Sequence, residues 1–347
     1  MTRRHLVRAE LAGLALTLTA GGLFLTAAPA DAVVLGTPTT NATASFTKAG
    51  ACTFSPSATP DVTSSGAFVE DGVPVTRSAS ASTTISQAGD SSTATASVTH
   101  TVSATAANGA LKTVHVQDAL QASVTSDLGA ATTCAARSQA AGLATFTFDL
   151  PTPKYLVLKS ETIQAVFNLQ FFRSTAAGGE PVVDLSFPNS GPHSMRTMSW
   201  FLPAGTYTMA IAHNTFAAAP SPTNSVTSRT GTGVTDLTFE EPGAAMAAAE
   251  GDGGKYVDLA AGRSCGTASL AATWKSKAGK GKNVKVKKAT FYVNGVKVKS
   301  VKKPKKKDAT TLPGLDPLKT LDVLVKVKLV KHGAGTVTVE RSYLPCS

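Results

Sequence analysis

The length, composition and charge of this chain limit its fold loosely and its partners more tightly. Its 347 residues suit two or three domains, and only 16% of them are charged. The net charge of +11 is uneven, because 18 of the 23 lysines lie between Lys275 and Lys331. Residues from Cys265 onward carry +15, whereas residues 33–264 carry −5. This imbalance favours an anionic partner for the C-terminal part of the chain.

Residues 1–32 have the pattern of a secretory signal peptide. Arg3 and Arg4 supply a positive start, Leu11–Leu25 an apolar stretch, and Ala28–Ala30 a small-x-small cleavage site. The two arginines also loosely match the twin-arginine motif, so the Sec and twin-arginine routes both stay open. No later apolar stretch is long enough to cross a bilayer, so we expect no transmembrane segment in the mature chain. The mature protein is therefore expected to be secreted, either extracellular or associated with the cell wall.

The four cysteines all lie in the exported part of the chain. An even number of cysteines outside the cell favours disulfides, and four cysteines allow three pairings. We expect the pairs Cys52–Cys134 and Cys265–Cys346, because each closes a loop the size of a domain, about 80 residues. Zinc is disfavoured, since no Cys-x-x-Cys spacing occurs and no histidine neighbours a cysteine. We expect no metal and no cofactor.

Residues 44–142 are predicted to form an N-terminal β-sandwich that contains the first disulfide. Small or apolar residues alternate strictly with hydroxyl residues from Thr93 to Ala106, which predicts a long, half-buried strand. Asn108-Gly109 and the resumed pattern of Leu111–Val116 indicate a hairpin. His100 falls on the apolar face of the strand. We expect a hydrogen-bonded core histidine there, with a ligand role as the alternative.

Residues 143–216 are predicted to form a middle β-sandwich, because short alternating segments are separated by turn residues. Phe146–Leu150 and Ala165–Phe171 show the pattern most clearly. Phe201–Thr208 resembles the final hairpin of β-sandwich modules in secreted bacterial proteins, including the pre-peptidase C-terminal type. That resemblance implies a binding or spacer module and not a catalytic one.

Residues 217–253 are rich in Ala, Pro, Gly, Ser and Thr and are predicted to be a linker. One possible strand interrupts this segment at Val234–Phe239. An alternative to three separate parts stays open, in which residues 44–240 form one larger domain of the jelly-roll kind.

Residues 254–347 are predicted to form a basic, Ig-like sandwich closed by the second disulfide. Asn294-Gly295 stands between two strand-like segments and predicts a type I′ hairpin turn. The apolar alternation slips at Lys287-Lys288, which predicts a β-bulge or a strand end. The fold class expected for the whole chain is all-β, with two or three Ig-like or jelly-roll-like sandwiches in series after the signal peptide.

The segment Val293–Pro304 resembles the C-terminal modules of many secreted actinobacterial proteins, which implies a fold and a location and not an activity. Its lysines and their neighbours form the predicted polyanion-binding site, Lys285, Lys287, Lys297, Lys299, Lys302, Lys303, Lys305, Lys306, Lys307, Lys326 and Lys328. The alternative is that these lysines only keep strand faces and edges soluble. Lysines without arginine forks or interleaved aromatic residues favour charge attraction over sequence-specific nucleic-acid recognition.

The sequence contains no recognisable catalytic motif. The chain has no Gly-x-Ser-x-Gly, His-Glu-x-x-His or P-loop sequence, and its histidines show no ligand spacing. We therefore expect a non-enzymatic protein whose basic C-terminal domain associates with an anionic cell-wall polymer, an acidic glycan or another polyanion.

A carbohydrate-binding protein that uses exposed aromatics of the middle sandwich is the alternative function. Four aromatic residues have side chains able to stack on sugar rings, Trp200, Tyr207, Trp274 and Tyr292. Trp200 shares its strand parity with apolar neighbours, so we expect it to pack in the core. Trp274 lies at the start of the lysine-rich segment and is the better candidate for a sugar platform.

Overall fold

The structure is a computed structural model. It describes residues 37–55, 61–87, 90–107, 110–126, 135–176, 178–187, 194–219, 225–275, 285–305, 307–330 and 335–347. The expected signal peptide at residues 1–32 lies outside these ranges. Within them, no helix is long and apolar enough to cross a membrane.

The described residues lie mainly in β-strands arranged in antiparallel sheets, which confirms the all-β class and the sandwich architecture. The first unit, residues 39–240, contains the strands β1 (Thr39–Ala49), β2 (Thr53–Ser55), β3 (Val62–Ala67), β4 (Val75–Gln87), β5 (Asp90–Ala107), β6 (Ala110–Ser126), β7 (Ala135–Leu150), β8 (Lys154–Ile163), β9 (Val166–Thr175), β10 (Gly178–Phe187), β11 (Ser194–Leu202), β12 (Gly205–Ala219) and β13 (Ser225–Glu240).

Two antiparallel sheets make up the first unit. Six strands follow the order β10-β9-β12-β7-β1-β3, and seven follow the order β11-β8-β13-β6-β5-β4-β2. Alternate side chains of each strand point between the sheets, since successive residues face opposite sides. One end of the core is aromatic, around Phe146, Phe148 and Phe171, and the other is built largely of alanines such as Ala94 and Ala122.

The structure does not divide the first unit at residue 143, where the boundary between the N-terminal and middle sandwiches was predicted. That position lies inside β7, which pairs with β1 on one side and with β12 on the other. The predicted linker, 217–253, contains β13, which lies between β8 and β6 in the seven-stranded sheet. Strands from both sides of the predicted boundary therefore share each sheet, as the alternative of one larger domain requires.

The segment Pro203–Gly205 is not a hairpin turn, which corrects the interpretation of Phe201–Thr208. β11 lies at the edge of the seven-stranded sheet, whereas β12 lies inside the six-stranded sheet. The chain therefore crosses from one sheet to the other at this point. The Tyr207 hydroxyl donates a hydrogen bond to the Pro203 carbonyl at 2.7 Å, which ties the start of β12 to the crossing.

The C-terminal unit, residues 241–347, is a smaller sandwich with its own core. Its elements are a 3-10 helix (Asp252–Lys255) and the strands β14 (Val257–Leu259), β15 (Leu270–Trp274), β16 (Lys285–Val293), β17 (Val296–Lys302), β18 (Ala309–Leu312), β19 (Leu321–Val330) and β20 (Thr336–Tyr343). A three-stranded sheet has the order β14-β15-β18, and a four-stranded sheet has the order β17-β16-β19-β20. Phe291, Val325 and Tyr343 are among the residues buried between them.

The β16–β17 hairpin confirms the turn predicted at Asn294-Gly295. Val293 pairs directly with Val296, and both turn residues have positive φ, 48° for Asn294 and 78° for Gly295. These angles are those of a type I′ turn, which matches the twist of the flanking strands.

The second predicted disulfide is present. Cys265 and Cys346 are bonded, 81 residues apart in the sequence, so the bridge closes nearly the whole C-terminal unit. Cys52 is buried and is itself disulfide-bonded. The other member of the predicted pair Cys52–Cys134, Cys134, lies outside the described residues.

Candidate functional site

The exposed face of the four-stranded sheet brings three lysines into one line. Lys288 of β16 lies directly opposite Lys302 of β17 on one side and Lys328 of β19 on the other. Directly paired residues of antiparallel strands point to the same face, with Cα atoms about 4.5–5.5 Å apart. We call these three residues the lysine row. Lys302 and Lys328 are exposed and Lys288 is half-buried between them.

Two further rows extend the positive surface along the strands. Lys326 lies opposite Thr290, and Lys297 lies opposite Tyr292 on the hairpin partner strand. The Lys326 Nζ atom sits 5.1 Å from the centre of the Tyr292 ring. We call the lysine row together with Lys297, Lys326 and Tyr292 the basic face.

The lysine row carries uncompensated positive charge. Among the described residues, none of its three ammonium groups forms a salt bridge. The ion-paired lysines of the C-terminal unit lie elsewhere, in the pairs Lys255–Asp252, Lys275–Asp258 and Lys319–Asp316. Like charges placed directly opposite one another destabilise a sheet, so the row raises the free energy of the free protein. A bound anion would relieve that repulsion.

Two carboxylates, those of Asp322 and Glu340, lie on the same face of the sheet, outside the lysine row. Asp322 pairs with Ser342, and Glu340 pairs with Leu324. Asp322 is six residues before Lys328 on β19, which corresponds to about 20 Å along an extended strand. Asp322 is therefore remote from the lysine row, whereas Glu340 shares a lateral row with Leu324, Tyr292 and Lys297 and borders the basic face.

The structure places the predicted lysines in different surroundings. Lys297, Lys302, Lys326 and Lys328 lie on the basic face. Lys299 pairs with the inward-facing Phe291, and its ammonium group donates a hydrogen bond at 2.7 Å to a backbone carbonyl of β18, that of Thr311. It therefore points away from the lysine row.

The remaining predicted lysines lie near the end of the row or outside the described part of the chain. Lys287 is exposed at the bulge, and its carbonyl accepts a hydrogen bond from the backbone N–H of Lys303. Exposed Lys305 and Lys307 belong to the loop that follows β17. Lys285 pairs with Val330 at the end of β16, in a position whose side chain is not described, and Lys306 lies outside the described residues.

Lys288, the centre of the lysine row, is missing from the sequence-based site. The predicted bulge at Lys287-Lys288 is present: Val286 pairs with Leu329 and Lys288 with Lys328, which leaves Lys287 without a partner position. After an extra residue in one strand, the residues that would have faced inward face outward, and the reverse. The slip in alternation was therefore the signal that Lys288, and not Lys287, shares a face with Lys302.

Burial decides which of the four aromatic residues could stack on a sugar ring. Trp274 is only 3% exposed, packs edge-on against Phe291 and donates its indole N–H to the Thr310 hydroxyl at 3.0 Å. It is a core residue, which removes it as the better candidate for a sugar platform. Tyr207 is fully buried, and Trp200 packs partly against the core of the first unit. Tyr292 is the one of the four that lies on the basic face.

His100 is confirmed as a hydrogen-bonded core histidine. Its Nδ1 atom lies 2.7 Å from one carboxylate oxygen of Asp118, and Nδ1 of His213 lies 2.6 Å from the other. Nε2 of His213 lies 2.9 Å from the hydroxyl of Thr235. All four side chains are buried. The described residues contain no group of three or more His, Cys, Asp or Glu side chains placed to hold a metal ion.

No protein-family model matches this chain, and no curated protein matches it either.

Proposed function

We propose that this chain is a secreted, non-enzymatic protein whose C-terminal unit associates electrostatically with an anionic cell-wall polymer or another acidic polymer. The lysine row is the observation that carries the proposal. Secretion is supported by the pattern of residues 1–32 and by the Cys265–Cys346 disulfide, because disulfides persist in oxidising compartments.

The geometry of the lysine row favours a repeating anion over a single one. The three ammonium groups belong to residues in lateral register across three adjacent strands. A chain of regularly spaced negative charges that crosses the strands can contact them in succession. Such contacts release counterions from the polymer, so affinity falls steeply as salt is added. Lysine binds through a compact charge and imposes little directional selectivity, which suits a polymer of variable sequence.

The proposal is tested by comparing two triple variants of equal net charge. The first is Lys288→Gln, Lys302→Gln and Lys328→Gln, which removes the lysine row. The second is Lys255→Gln, Lys275→Gln and Lys319→Gln, which removes three lysines that already form ion pairs. Each is measured, beside the full-length wild-type chain, for binding to an anionic polymer and to purified cell wall at several salt concentrations.

Loss of the lysine row should weaken binding at low salt. On a polymer with the charge density of DNA, it should also reduce the slope of log affinity against log salt concentration by the contribution of about three charge contacts. The second triple variant should stay close to wild type. Equal weakening of both variants would mean that only net charge matters, which contradicts a site on the basic face. No binding of the wild-type chain at low salt would overturn the function itself.

A further inference from the structure

We infer that the acidic polymer is built from sugar rings, and that one ring packs over Tyr292 while its acidic groups reach the neighbouring lysines. This inference rests on the proposed function and adds the chemical class of the ligand. It starts from the position of Tyr292, an aromatic side chain half-buried on the basic face beside Lys326 and Lys297.

The surroundings of Tyr292 combine an apolar platform with flanking positive charge. Its strand partners are Lys297 on β17 and Leu324 on β19. Lys326 holds its ammonium group 5.1 Å from the ring centre. The residues before and after Tyr292, Phe291 and Val293, point into the core, which fixes the orientation of the strand. The tyrosine ring is therefore held at the surface, with the Lys326 ammonium group over one of its faces and Lys297 as a strand neighbour.

A sugar ring that carries an acid matches these two features together. The C–H face of a hexose is apolar enough to pack on an aromatic ring, as the amphipathic character of tyrosine allows. A carboxylate or sulfate on the same sugar can then pair with Lys297 or Lys326. The lysine row lies farther along the same strands and can take the charges of the next sugars. A plain phosphate chain satisfies the lysines but has nothing to place on the tyrosine.

Single-stranded nucleic acid fits the face less well. Proteins that bind it without sequence preference stack successive bases on several aromatic side chains. The described part of the basic face offers one such ring. The other aromatics near it, Trp274 and Phe291, are buried in the core.

Tyr292→Ser and Tyr292→Phe separate the ring from the hydroxyl. Binding of each full-length variant is measured by titration calorimetry at one fixed ionic strength, with a polyuronate oligosaccharide and with linear polyphosphate of matched charge. Tyr292→Ser should bind the polyuronate about two- to tenfold more weakly, the range for loss of an aromatic contact. Its binding to polyphosphate should be unchanged, and Tyr292→Phe should match wild type on both polymers.

Phe216 supplies a matched control from the first unit. It is also a partly exposed aromatic ring next to a cation, with the Arg137 guanidinium 4.2 Å from its centre. Phe216→Ser should leave binding to both polymers unchanged. The urea midpoint of every variant shows whether it is folded at the concentrations used.

The possible results distinguish the ligand class from the function. Equal loss by Tyr292→Ser on polyuronate and on polyphosphate would overturn the assignment to sugars while leaving the polyanion function in place. Single-stranded DNA is titrated as a third polymer, and loss of binding to it by Tyr292→Ser without loss on polyuronate would also overturn the assignment, in favour of bases. If wild type bound neither polymer, the proposed function would fail first.

Discussion

Asp118 is a carboxylate placed in the interior of the first unit, where an unpaired charge would be very costly. The histidines His100 and His213 meet its two oxygens from the neighbouring strand β5 and from the facing sheet. Burial opposes its ionisation, but the hydrogen bonds and charges of the two histidines outweigh that effect and hold the pKa of Asp118 below its ordinary value of 3.8. The network therefore links the two sheets through one ionised group.

Removal of Asp118 should destabilise the first unit strongly. Asp118→Ala removes the carboxylate partner of Nδ1 on two buried imidazoles, and loss of one member of a buried charged network costs about 3–5 kcal/mol. The matched control is Asp236→Ala. Asp236 makes the same 2.7 Å contact to His115, but both side chains are roughly half exposed, so its loss should cost less than about 1 kcal/mol. Urea unfolding followed by circular dichroism compares the two, and similar costs would contradict the interpretation of a buried network.

The stability of the protein should fall in acid in a way that depends on Asp118. Its pKa in the folded state is lower than the ordinary value of 3.8 that it takes when unfolded. The stability it contributes is therefore fully present above about pH 4 and is lost as the pH falls through the folded pKa. Melting temperatures of wild type and Asp118→Ala, measured between neutral pH and pH 2, should converge at the acid end. A constant difference across this range would argue against the linkage.

Part of this network was predictable from the sequence and part was not. The parity of His100 in a strictly alternating strand predicted a buried histidine. Its partner Asp118 lies 18 residues away, and His213, which binds the other oxygen of Asp118, lies 95 residues farther along the chain. No local pattern records which strands will face each other. Gly142 and Gly233 make room for the network, since a Cβ atom would come within 2.0 Å of Asp118 and 2.5 Å of His213, respectively. A glycine inside a strand indicates close approach but not what approaches.

At the scale of single elements, the lysine row lowers the stability of the free sheet while it provides the charges proposed to bind an anion. The strands β16, β17 and β19 place three like charges side by side on the outward face. A polar, uncharged residue such as threonine or glutamine at each position would satisfy the same alternation of buried and exposed residues. The row is assembled by the bulge at Lys287, which turns Lys288 outward. The alternation in the sequence predicted the strands, the hairpin turn and the bulge, because each depends on neighbouring residues. The sideways register of three strands depends on tertiary packing, so the row itself was not foreseen.

Replacement of the central lysine should stabilise the free protein while it weakens binding. Lys288→Gln relieves repulsion with Lys302 and Lys328, and we expect the free energy of unfolding to rise by a few tenths to about 1 kcal/mol at low salt. The gain should shrink as salt screens the charges. Lys319→Gln, which removes an ion-paired lysine, should give no gain. Denaturant unfolding at low and high salt tests this, and a loss of stability in Lys288→Gln would contradict the strain assigned to the row.

At the scale of the whole molecule, the two units are joined by direct packing. Tyr155 and Val157 of β8 form a buried cluster with Leu344, which follows β20. The segment between the units is tied to the chain end, since the Gly243 N–H donates to the Pro345 carbonyl at 2.8 Å. Composition predicted a linker here, because small residues dominate it. The same small residues allow close backbone approach, for example at Gly243, where a Cβ would come within 2.7 Å of the Cys265 sulfur.

The junction lies at the end of the four-stranded sheet that is remote from the lysine row, because Leu344 directly follows β20 whereas the lysine row lies at the other end of β19. A change at the junction should therefore affect stability and leave binding intact. Leu344 is fully buried, and Leu344→Ala should lower the free energy of unfolding by about 2–5 kcal/mol. Retention on the anionic polymer, measured where the variant is still folded, should match wild type at every salt concentration. If Leu344→Ala weakened binding as much as loss of the lysine row, the site would have to include the junction and not the basic face alone.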